Sequence, residues 1–161
     1  MNRLSVIVCL LLISQTAFSQ AKIRRLPNSI NNPAINVFAP FISLDGVSIL
    51  FTSDFVSDEG ALVYYSQRED GDWKQPVELP KHLNTKLNLQ KGYSLSPNGK
   101  TLYITSAKSG GVGGFDIWSS NLTGGVWSPL QNLFLPINTK GNEGCATFTP
   151  DGNTVYFMRC E

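Results

Sequence analysis

Soft metal ligands are scarce in this chain: 161 residues contain one histidine, His82, and three cysteines. With no second histidine or cysteine beside it, His82 marks no zinc site, no nucleophile motif accompanies it to mark a Ser-His-Asp arrangement, and it reads as a solvated loop residue. Charge is sparse as well, with 16% charged residues, a net charge of +1 and no clustering beyond the pair Arg24-Arg25. That excludes the electrostatic footprint of a nucleic-acid or anionic-membrane binder. Phosphate-loop chemistry is missing too. The cluster Gly110, Gly111, Gly113, Gly114 has no adjoining lysine and hydroxyl of a P-loop, does not spell GxGxxG and precedes no helical pattern. No GxSxG elbow occurs. No stretch after the first twenty residues repeats at the helical period, so helical solenoids are excluded. No cofactor is implied.

The N-terminus, MNRLSVIVCLLLISQTAFSQ, has a basic start, an apolar run from Leu4 to Ile13 and small residues before Gln20. This is a secretory signal pattern, expected over residues 1–19. The run is about half the length of a bilayer-spanning helix. Cys9 follows bulky Val8 and does not look like a lipid acceptor. A periplasmic or secreted location is expected, with no membrane span after cleavage.

What the chain does have is a repeat. The segments APFISLDGVSILFTSD from Ala39, KGYSLSPNGKTLYITSA from Lys91 and GCATFTPDGNTVYFMRC from Gly144 align, with turn glycines Gly46, Gly99 and Gly152 spaced 53 residues apart. Each reads as a hairpin, because Asp45-Gly46, Asn98-Gly99 and Asp151-Gly152 suit tight turns and alternating strands follow. Trp73 and Trp127 recur in a further strand pair, and Asn84-Thr85-Lys86 recurs as Asn138-Thr139-Lys140. Four antiparallel strands per period of about fifty residues predict β-propeller blades. The expected class is all-β, an incomplete propeller. Its divisions are a leader or partial outer strand over 20–38 and repeats over 39–90, 91–143 and 144–161.

The string SPNGKTLYITSAKSGGVGGFDIWSS, with GGVWSP and INTKGNEG after it, resembles the WD40-like β-propeller repeat of the TolB type. The first repeat departs from that pattern, with Leu44 in place of proline and no glycine cluster or Phe-Asp-Ile triplet. The third holds two strands. Two and a half blades lie below the four a ring commonly needs. The chain is therefore expected to be a piece of a longer one, with self-association through open blade edges as the alternative.

Few residues stand out as chemistry. The glycine cluster is expected to be a turn between the second and third strands of a blade, and Asp116 to accept hydrogen bonds from it. Asp54, Asp58, Glu59, Glu69, Asp70, Asp72 and Glu143 read as scattered surface-loop acids, not as a paired-carboxylate site. Trp73 and Trp127 are expected to pack blade on blade. Cys145 and Cys160 flank the third hairpin and are a candidate disulfide. No catalytic, metal or cofactor-binding residue is assigned. The resemblance implies a non-enzymatic exported module that binds or scaffolds a protein or cell-envelope component. The alternative is part of a carbohydrate-active propeller enzyme or glycan-binding protein whose catalytic groups lie in missing blades.

Overall fold

The structure is a computed structural model that describes residues 23–54, 61–84 and 92–160. The expected signal segment 1–19, with Cys9, lies outside the described residues, as do Asp58, Glu59, Thr85 and Lys86. Among the described residues every regular element is a strand.

The first sheet holds β1 (Val37–Ile42), β2 (Ser48–Ser53), β3 (Leu62–Glu69), β4 (Asp72–Trp73) and β5 (Val77–Glu78). The second repeats it with β6 (Tyr93–Leu95), β7 (Thr101–Ser106), β8 (Asp116–Thr123), β9 (Val126–Trp127) and β10 (Gln131–Asn132), and the third holds β11 (Asn142–Phe148) and β12 (Val155–Cys160). All pairings are antiparallel. In each full sheet two short strands pair with the third long one, β4 and β5 with β3, β9 and β10 with β8, so they are halves of one broken fourth strand. The break carries Pro76 or Pro129, which has no N–H for the ladder. The hydroxyl of Ser66 or Ser120 spans it by donating to the carbonyl of Lys74 or Ser128. The result is two four-stranded blades and the first half of a third, an incomplete propeller.

Hairpin turns are built identically three times. Ser43, Ser96 and Thr149 donate their hydroxyls to Asp45, Asn98 and Asp151, and each of those side chains accepts a backbone N–H two residues on. Gly46, Gly99 and Gly152 follow at φ of 71°, 65° and 72°, which only glycine adopts freely. A second recurrence was not visible in the sequence. Ala39, Gly92 and Cys145, each seven residues before its turn glycine, all have positive φ, at 51°, 106° and 56°. At Ala39 and Cys145 this is a bulge that shifts the register of β1 and β11.

The main core lies between the first two sheets, where Leu50, Val63, Tyr65 and Leu79 meet Leu102, Ile104, Trp118 and Trp127. Half-buried alternation, expected from sequence, gives way in β2 to burial at nearly every position and in β8 to an unbroken buried run from Asp116 to Ser120. The second sheet is covered on both faces by its neighbours. The first is covered on its far face by the leader, where Ile30 is 1% exposed and packs on Ile49 and Phe51. β12, by contrast, has no buried residue.

Candidate functional site

The polar side chains that recur with the repeat converge on the seams of the blades. Asn138 is fully buried; its amide oxygen accepts the Ile117 N–H at 2.8 Å and its nitrogen donates to the Ile117 carbonyl and to Asn132 Oδ1. Asn84 does the same for Val63 and adds the Leu79 carbonyl. The recurring asparagine is therefore a clamp that pins the linker to the third strand of its blade.

The glycine loop does sit between the second and third strands, β7 and β8. It wraps a carboxylate: Asp116, 1% exposed, accepts the N–H groups of Val112 and Gly113 and the amide of Asn132. A side chain at Gly113 would run into the carbonyl oxygens of Gly141 and Thr139, and one at Gly114 into the Asn142 amide. The linker to the third sheet thus requires the second pair of glycines, while Gly111 makes room for Asp116 and Gly110 takes a positive φ of 87°.

Of the acids read as surface-loop residues, Glu143 is corrected. It lies in β11, 1% exposed, and accepts from the Thr139 N–H and hydroxyl and from Arg159 Nε at 3.0 Å. Burial alone would raise its pKa, but the hydrogen bonds from Thr139 and Arg159 outweigh it and hold the carboxyl below its ordinary value. Arg159 also donates to the carbonyls of Pro136 and Ile137, tying β12 to the linker. Counting outward from the turn hides this pair, because the bulge at Cys145 shifts β11 by one residue and sets Glu143 opposite Arg159. The other described acids keep to the surface: Asp54 accepts from Asn36, and Glu69 pairs with Lys74 at 2.8 Å.

Trp127 packs edge-on against Tyr65 of the neighbouring sheet, with ring centroids 5.5 Å apart. Trp73 turns instead toward the leader side, against the Ile30, Ile49 and Phe51 cluster, because no blade precedes it among the described residues. His82 is exposed, its Nε2 3.3 Å from the Ser128 carbonyl of the second sheet. Cys145 and Cys160 are both exposed on β11 and β12 with no disulfide between them in this structure, and the register sets Cys160 opposite Asn142. Three residues of strand, roughly 10 Å, separate that position from Cys145.

Four of the twelve large apolar side chains exposed among the described residues lie on the third sheet or in the linker before it, while Phe38, Ile42, Leu44, Val47 and Val77 lie on the first sheet or its hairpin. Tyr156 and Met158 are 62% and 61% exposed on β12, and Phe134 and Leu135 are 58% and 73% exposed in the linker. The repeat identifies which way the first two point. The positions equivalent to Tyr156 are Leu50, in the core between the first two sheets, and Tyr103, whose ring lies tilted against Phe148 of the third with centroids 4.5 Å apart. Those equivalent to Met158 are Thr52, bonded to Tyr93 of the second sheet, and Thr105, which accepts the Cys145 N–H of the third. Tyr156 and Met158 therefore occupy the face with which each preceding sheet meets the next.

No known family's sequence model matches the chain, and no curated protein matches it. Solved structures do match, among them the crystal structure of TolB from Acinetobacter baumannii, at 19% identity and a TM-score of 0.47. That match covers 76% of this chain and 26% of TolB, so the chain spans about a quarter of the length of that protein. No helix among the described residues is long and apolar enough to cross a membrane.

Proposed function

We propose that this chain is an exported, non-enzymatic β-propeller module that binds a protein or other component of the cell envelope through the outer face of its third sheet. The observation that carries the reading is the exposure of Tyr156 and Met158 at positions that pack on a neighbouring sheet in both preceding repeats, a docking face that a further sheet or a partner would cover. Apolar groups exposed at positions that are packed in the preceding repeats mark an association surface. The non-enzymatic part is supported by where the acids are used: Asp45, Asp116, Glu143 and Asp151 each hold backbone N–H groups of turns or linkers. Export rests on the N-terminal signal pattern, and a periplasmic or secreted location follows from it.

The test is co-sedimentation of the purified protein with isolated envelope fractions, comparing the wild type with Tyr156→Glu and Met158→Glu. Binding that both variants lose supports the reading. Failure of the wild type to sediment, or equal sedimentation of the variants, overturns it. Hydrolysis of envelope polysaccharide by the purified chain would overturn its non-enzymatic part.

A further inference from the structure

Arg24 and Arg25 are an isolated basic pair in the sequence, but folding adds a third guanidinium to them. The leader brings both to one side of the first sheet, where they line a groove of about 720 Å³ together with Arg68, Asp72, Trp73 and Ile42. Three cations face one carboxylate there. The ion pairs among the described residues are Lys74–Glu69 and Arg159–Glu143, so none of the three guanidiniums is neutralised by a described carboxylate.

Arg68 and Trp73 are cross-strand partners on β3 and β4. The Arg68 guanidinium lies 5.5 Å from the centre of the Trp73 ring, and Trp73 is itself packed on the cluster of Ile30, Ile49 and Phe51. A cation over a ring face is held there by the ring's electrostatics, and its N–H groups remain available to a carboxylate, which a guanidinium can take by two parallel hydrogen bonds. A groove of this size accepts a ligand of a few rings, far more than an inorganic anion. Its walls include apolar Ile42, Leu26 and Pro27 as well as the indole. Apolar walls with separated cations suit a ligand whose rings have apolar faces and carry carboxylates.

We propose that the groove between the leader and the first sheet is a binding site for an acidic oligosaccharide, with Arg68 as the fixed carboxylate anchor and Arg24 and Arg25 engaging a neighbouring anionic group. It lies on the first sheet and stands independently of any partner on the third.

Calorimetric titration of the full-length protein with trigalacturonate, maltotriose and inorganic phosphate tests it. Trigalacturonate is expected to bind at least tenfold more tightly than either of the others and to weaken as salt rises. Arg68→Ala and the double variant Arg24→Ala/Arg25→Ala are each expected to weaken it at least tenfold. Maltotriose binding as tightly would overturn the acidic assignment, and phosphate binding as tightly would overturn the saccharide. No binding of trigalacturonate, or binding unchanged in the arginine variants, would overturn the site. The double variant changes only exposed leader residues, so it decides the matter even if loss of the Arg68 stack loosens the sheet.

Discussion

Replacing Asn138 by alanine removes three hydrogen bonds at a position with no solvent exposure. The consequences for the partners differ. The Ile117 carbonyl keeps a second donor, the Leu133 N–H at 3.2 Å, whereas the Ile117 N–H has no other acceptor described and is left buried and unpaired. An orphaned buried donor costs about 1–3 kcal/mol and each net hydrogen bond lost about 1, so the sum is about 3 kcal/mol. For a domain with a urea slope of about 1.5 kcal/mol per molar, the midpoint should fall by about 2 M. Asn84→Ala should behave alike, since Val63 stands to Asn84 as Ile117 stands to Asn138. Asn138→Asp should be no better, because its carboxylate cannot donate to the Ile117 carbonyl. Urea unfolding followed by tryptophan fluorescence measures all three. Alanine variants within about 0.5 kcal/mol of wild type would refute the clamp, as would a large loss at one asparagine and none at the other.

The positive-φ series predicts opposite signs for related changes. Gly92→Ala meets no atoms and should cost only the backbone strain, about 1–2 kcal/mol, while Cys145→Gly should be neutral or slightly stabilising, both read by thermal unfolding. Ile30→Ala should cost about 2–4 kcal/mol in the same assay, because it opens the cavity between the leader and the first sheet. For Glu143 the folded pKa is depressed, so its contribution is present above the ordinary value of 4.5 and is lost as pH falls through the folded value. Stability curves of the wild type should drop over that window below pH 4.5. Glu143→Gln should flatten the drop while lowering stability at pH 7.

The turns were legible because their chemistry is local: Asp-Gly or Asn-Gly after a hydroxyl residue dictates the conformation seen three times. Asn138 was visible only as a recurrence. Its role required knowing that the linker doubles back onto β8. Glu143 was misread because a single bulged residue changes which side chains oppose one another, and bulges have no strong sequence mark at Ala39 or Cys145. The Arg24, Arg25 and Arg68 groove was hidden for a longer-range reason. It joins residues more than forty positions apart through the docking of the leader, which Ile30 achieves without any repeated pattern.

The central claim, that the third sheet offers its outer face to a partner, is tested most directly by amide hydrogen exchange with and without envelope extract. The account predicts that β12 exchanges faster than β2 and β8 in the isolated protein, because β8 is enclosed by sheets on both sides and β2 by the second sheet and the leader. It further predicts that extract slows exchange in β11 and β12. Exchange in β11 and β12 that stays as fast with extract as without it would contradict it.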